Sequence, residues 1–165
     1  MENVKFTQMK DGDKEDYDFL THHEVEHTKG TADRLLKALV ELDEGLSGYK
    51  ITRLGHSLQA ATRAWNAGAD IDWVVSALLH DIGDIFAPYN HDEYAATILK
   101  PFVREQCRWV VEKHGDFHPD YDTLTIDFFA PMVRQVFARN PNDPAIMNAP
   151  PKPLTDETVA EIRRL

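Results

Sequence analysis

Apolar residues recur at helical spacing, every third or fourth position, from about Asp16 to Arg139, and no stretch alternates with the period of two that a half-buried strand requires. The body of the chain is therefore expected to be all-α. "TADRLLKALVELDEG" offers Thr31 as an N-cap, places Leu35, Leu36, Leu39, Val40 and Leu42 on one broad face, and has Gly45 beyond its end. "ITRLGHSLQAATRAWNAG" repeats the pattern with Leu54, Leu58, Ala61 and Trp65 before Gly68 stops it. Asp70 can cap the next segment, "IDWVVSALLH", which is apolar nearly all round and so reads as the central, most buried helix. Asn90 can cap "HDEYAATIL", Pro101 opens "PFVREQCRWVVEKHG", and "IDFFAPMVRQVFAR" forms the last helix of the body, disturbed by Pro131. Residues 1–139 thus form one helical domain. Residues 140–165 read as an arm rich in proline and asparagine, "NPNDPAIMNAPPKPL", followed by a short capped helix, "TDETVAEIRRL".

Composition narrows the functional classes. At 165 residues the chain can bury one real core and is too short for two comfortable ones. With 42% hydrophobic and 28% charged residues it has an ordinary globular balance, and no apolar run is long enough to cross a bilayer. The charged start, "MENVKFTQMKDGDKEDYD", shows neither a secretory signal nor a transit peptide, which points to the cytoplasm. A single cysteine, Cys107, excludes an internal disulfide framework and reads as a small buried side chain. The formal charge of -10 counts against a general nucleic-acid binder and favours a small-molecule partner.

The candidate chemistry sits at helix ends. "SALLHDIGD" closes the buried helix with an imidazole and a carboxylate side by side, His80 and Asp81, with Gly83 following. Such a pair is expensive to bury unless something binds it, and a metal ion is the usual compensation. His56, His91 and His114 also lie at or near helix ends, where an antiparallel bundle can bring them together in the core. Imidazole and carboxylate suit iron, manganese or zinc, and the two oxygens of Asp81 can bridge two ions about 3.5 to 4 Å apart. Each residue has a bland alternative: a histidine can be a dipole partner at a helix C-terminus, and Asp81 and Asp84 can cap whatever follows Gly83. Two further patterns read as decoys. "HHEVEH" has His23, Glu24 and His27 in the order of zinc proteases, but its surroundings are polar and the helix is expected to be exposed. "DGDKED" resembles the start of a calcium loop, lacks the later ligands, and is expected to be solvated.

Taken together, "GHSLQAATRA", "LLHDIGD", "NHDEYAATIL" and "WVVEKHG" resemble the HD-domain superfamily of metal enzymes from about Val4 to Arg139. The nearer resemblance is to mixed-valence di-iron oxygenases acting on 1-hydroxyalkylphosphonates, and more remotely to myo-inositol oxygenase. That resemblance implies an HD-type helical bundle holding two iron ions, with manganese or another divalent metal as the alternative. His56, His80 and Asp81 would hold the first ion, and Asp81, His91 and His114 the second. It further implies that Asp81 and Tyr49 take part in the reaction, Tyr49 as part of a lid ahead of the first histidine. The implied activity is cleavage of a carbon–phosphorus bond. The alternatives are metal-dependent phosphohydrolysis of a phosphate ester or nucleotide, and a non-catalytic HD fold.

The chain departs from the family pattern after the fourth histidine. Relatives run on through an aromatic-rich stretch and a further helix that delivers a last aspartate ligand, whereas here "VEKHG" meets "DFHPDYDTL" almost directly. Asp116, His118 and Asp120 are the nearby substitutes. Arg53, Arg63 and Lys113 are the candidates to meet the phosphonate charge.

Overall fold

A computed structural model describes residues 2–45, 47–114 and 124–151. Among them the chain is all helix and turn, a single all-α domain. The helices are α1 (Lys14–Lys29), α2 (Thr31–Glu41), α3 (Arg53–Asn66), α4 (Ile71–Leu79), α5 (His91–Leu99), α6 (Glu105–Glu112), α7 (Ile126–Phe137) and α8 (Pro144–Met147). A 3-10 turn, Ile82–Ile85, links α4 to the loop before α5. None of these helices is long and apolar enough to cross a membrane.

The centre is α4, which packs against α3, α6 and α7. Asp70 caps it, its carboxylate accepting from the Trp73 N–H, and Val74, Val75, Leu78 and Leu79 are fully buried. Each such side chain contributes roughly 1.5 to 3 kcal/mol, so the C-terminal end of α4 is firmly seated, and His80 and Asp81 emerge from a fixed point. Cys107 on α6 is part of the same core, and burial pushes its thiol up to about 12, which leaves it unreactive at neutral pH.

Several local expectations change in the folded chain. Thr31 is the first residue of α2 and its hydroxyl donates back to the Thr28 carbonyl at 2.7 Å, because α1 and α2 are separated only by Gly30, which occupies the cap. Val40 and Trp65 leave the buried faces: Val40 is solvent-facing, and Trp65 stacks edge-on against Phe128 at the surface. "DGDKED" is partly structural. Asp13 and Asp16 form a reciprocal capping box at the start of α1, and Asp16 is buried there, also accepting from the Lys5 N–H at 2.9 Å. In the arm, Asp143 caps one helical turn opened by Pro144, and the Asn142 N–H donates to the Pro101 carbonyl at 2.9 Å, tying the arm to the body. The helix expected in "TDETVAEIRRL" falls outside the described residues.

Pro101 does not open α6. Residues 101–103 continue the turn that ends α5, with the Phe102 and Val103 N–H groups donating to the Leu99 carbonyl. Buried charge delays the helix to Glu105. Arg104 is drawn extended (ψ 148) while its N–H donates to Asp72 and its guanidinium meets Asp70 at 2.8 Å and Asp72 at 3.4 Å. Asp72 also binds Arg139, just beyond α7, at 2.7 Å. One carboxylate on α4 thus joins the start of α6 to the end of α7. Replacing Asp72 with alanine would leave two largely buried guanidinium groups short of a partner, and urea denaturation is expected to show a loss of about 3 to 5 kcal/mol. A loss below about 1 kcal/mol would mean that the network is structurally idle.

Candidate metal centre

Four helix termini meet at one end of α4. His56 comes from the first turn of α3, His80 is the C-cap of α4 with Asp81 next to it, His91 opens α5, and His114 follows the C-terminal end of α6. His56 and His80 are 7% exposed and Asp81 1%, so this polar cluster lies in the core. Among the described residues, two groups bring ligand atoms within 4.8 Å of one another: His56, His80 and Asp81, and Asp81, His91 and His114. The two oxygens of Asp81 divide between them. Oδ2 faces His56 Nε2 at 3.7 Å and His80 Nε2 at 3.4 Å, and Oδ1 faces His91 Nε2 at 3.4 Å and His114 Nε2 at 3.0 Å.

The chemistry of these donors fits a cation. His80 Nδ1 lies 2.7 Å from the Ala77 carbonyl and His114 Nδ1 lies 2.6 Å from the Val111 carbonyl, so each of these nitrogens carries a proton and donates it to backbone. In the neutral ring the inward Nε2 is then a lone pair. His80 Nε2 faces His56 Nε2 at 3.0 Å, and His114 Nε2 faces Asp81 Oδ1 at 3.0 Å. Acceptor faces acceptor in the second pair and crowds another ring nitrogen in the first. A positive ion converts both contacts into coordination, with the carbonyls already fixing ring orientation.

Without a metal, protons do part of that work. Burial, with the neighbouring His80, pushes His56 from its ordinary 6.5 down to about 4, and burial also lowers His80. Burial acts to lower His114 as well, but its hydrogen bonds to Asp81 and Val111 outweigh it and the group is raised. Burial would raise Asp81, yet the His114 hydrogen bond and the adjacent His80, His56 and Arg53 hold it well below the usual carboxylate range. For His56 and His80 the unfolded chain takes up protons that the folded one refuses, so their contribution to stability falls as pH drops below 6.5, for His56 down to about 4. His114 opposes them, contributing below its unfolded value and fading as pH rises through its folded one. Asp84, whose carboxyl is raised, sides with His114 as pH falls through its folded value. Burial weighs most on His56 and His80, so the chelator-treated protein is expected to melt at lower temperature as pH falls below 6.5. A melting temperature that holds or climbs toward acid would contradict this assignment of neutral His56 and His80.

Gly83 explains its own place in "HDIGD". A Cβ there would lie 2.4 Å from the His91 carbonyl oxygen and 2.7 Å from the His91 Cα, so the 3-10 turn lies directly against the start of α5. Asp84, read from the sequence as a cap, instead meets Arg53 Nε at 2.8 Å and His91 Nδ1 at 3.3 Å. Burial, followed by the charge of Asp81, raises the Asp84 carboxyl. Sequence reasoning missed this role. The available signal was spacing, since Arg53 is three residues before His56 and Asp84 three after Asp81.

The remaining candidates fall elsewhere. Tyr49 is exposed and lies beneath the Arg53 guanidinium, 5.2 Å from Cζ to ring centre, beside the cluster instead of within it. Lys113 pairs with its neighbour Glu112 at 2.9 Å, and Arg63 lies two turns further along α3 from His56. His23, Glu24 and His27 are exposed on α1 and contribute to neither triad. Asp116, His118 and Asp120 fall outside the described residues.

A family model for the HD domain matches residues 53–155, more than half of the chain. The chain belongs to the HD-domain family. The HD doublet itself is His80 and Asp81, and the match begins at Arg53, just ahead of His56. HD domains are typically those of metal-dependent enzymes, and the two triads are groups that could hold metal. The search of curated proteins returned no match.

Proposed function

We propose that this HD-domain protein is an enzyme with a two-ion centre, built for iron, that cleaves the carbon–phosphorus bond of a small 1-hydroxyalkylphosphonate with dioxygen. The observation carrying the two-ion reading is the division of Asp81, one oxygen toward each triad. The phosphonate assignment is supported by the resemblance of "LLHDIGD", "NHDEYAATIL" and "WVVEKHG", and the choice of iron by a donor set richer in imidazole than in carboxylate, which suits iron over magnesium. The reaction balances as hydroxyalkylphosphonate plus dioxygen giving a carboxylic acid and phosphate, the bond to phosphorus breaking and the carbon being oxidised.

When bound, the ions supply Lewis acidity and the electrons exchanged with dioxygen. The chain's own contribution is positional. Asp81 sets the separation of the triads, the Ala77 and Val111 carbonyls hold the His80 and His114 rings, and buried Leu79, Ile82 and Val111 keep water from the inner side. A carboxylate held ionised at neutral pH keeps both oxygens available as donors.

The second reading, metal-dependent phosphohydrolysis, draws on HD-domain membership and uses the same residues to place an activated water. Metal analysis of the purified protein comes first, followed by an oxygen electrode with 1-hydroxyalkylphosphonates and phosphate release from phosphate esters. Oxygen uptake matched by phosphate release, abolished in His80→Ala, is the expected result. Ester hydrolysis without oxygen uptake would move the protein to the second reading, and absence of bound metal would remove both.

A further inference from the structure

We infer that Arg53 seats the anionic group of the substrate, and that metal loading is what releases it for that task. The inference rests on the two-ion centre of the proposed function and extends it to the residue that recognises the ligand. Arg53 lies one helical turn before His56 on α3, and its side chain is 18% exposed, at the edge of the buried cluster. Nη1 donates to Asp81 Oδ2 at 3.2 Å. Its Nε lies 2.8 Å from Asp84 Oδ2, yet neither atom, though buried, gains an aligned hydrogen bond there. The charges are paired while the donors are not fully used, and the Tyr49 ring supports the flat face of the guanidinium.

The contact with Asp81 falls on the oxygen that faces His56 and His80. A cation held by that triad takes the same oxygen and repels the guanidinium. Arg53 therefore has to turn from Asp81 when the ion arrives, with Asp84 still beside it. The charges that then remain are two divalent ions and Arg53 against Asp81 and Asp84, which leaves the site strongly positive. A tetrahedral oxyanion of phosphonate or phosphate type balances that charge and matches the planar fork of donors. The order of binding follows: metal first, anion second.

Inorganic phosphate is the probe, titrated calorimetrically into the full chain loaded with manganese. Phosphate is expected to bind the loaded protein and not the chelator-treated one. Arg53→Gln is expected to weaken it at least about tenfold, in line with loss of a charge-assisted hydrogen bond, with Arg53→Lys falling between. Metal stoichiometry should be the same in all three. Phosphate affinity unchanged in Arg53→Gln, equal binding without metal, or loss of metal in that variant would each overturn the inference. Should Arg53→Gln fail to fold, the Arg53 side-chain N–H resonance of the wild-type protein loaded with diamagnetic zinc decides: it must shift on adding phosphate, and an unmoved resonance rejects the seat. The outcome separates from that of the proposed reaction. Arg53-dependent phosphate binding without oxygen uptake keeps the seat and removes the oxygenase, and oxygen uptake with phosphate binding indifferent to Arg53 does the reverse.

Discussion

On the proposed two-ion reading, Asp81→Ala is expected to lose both ions, whereas His114→Ala is expected to lose one. Asp81 is the residue common to the two triads, and each of its oxygens faces a different pair of histidines. Removing it leaves two imidazoles on each side with no carboxylate in either group of ligands. Changes to groups that merely orient a ligand weaken metal binding about 10- to 100-fold, so loss of the shared ligand should exceed about 100-fold at both positions. His114→Ala leaves His56, His80 and Asp81 as a complete group. Metal analysis after desalting, run on the wild type and both variants, reads the difference as a stoichiometry. If Asp81→Ala retained the wild-type metal content, its carboxylate would be an ordinary buried partner of Arg53 and His114, and the two-ion centre would have no basis.

Gly83→Ala tests the scaffold instead of the ligands. The added Cβ would meet His91 backbone at 2.4 to 2.9 Å, and backbone cannot rotate aside as the tip of a flexible side chain does. Either the 3-10 turn or the start of α5 has to move by several tenths of an ångström or more. Ala95, Ala96 and Leu99 pin the rest of α5 into the core, so the strain concentrates at His91. Overpacking of this kind costs about 1 to 3 kcal/mol of stability. The functional effect should fall on one side of the site: weakening of the ion held by Asp81, His91 and His114 at least about tenfold, with His56, His80 and Asp81 keeping theirs. Thermal denaturation and metal stoichiometry measured on the same sample make the comparison, and a variant that keeps both ions at wild-type affinity would show that the close approach is inconsequential for the site.

The local pattern made helices legible because burial on a helix repeats with its turn. The all-round apolar "IDWVVSALL" correctly marked α4 as the centre, and Asp70 and Gly68 marked the boundary before it. The same reasoning failed where one end of a segment is governed by a distant partner. Pro101 looked like a helix start, but Asp70 and Asp72, more than thirty residues earlier, hold Arg104 extended and delay α6. Val40 and Trp65 fit an apolar stripe by spacing, yet the neighbouring helices do not cover them.

By itself, the sequence determined the helical class, the buried setting of His80 and Asp81, and the residue types able to bind metal, since these depend on periodicity and on chemistry carried by single side chains. Only the tertiary structure decided that His56 and His80, 24 residues apart, face each other, that the oxygens of Asp81 point to opposite groups, and that Asp84 holds Arg53 instead of capping a turn. The physical reason is that spacing along a helix sets which face a residue occupies. Which face meets which is set by the packing of α3, α4, α5 and α6 around a shared core, and that depends on all of them at once.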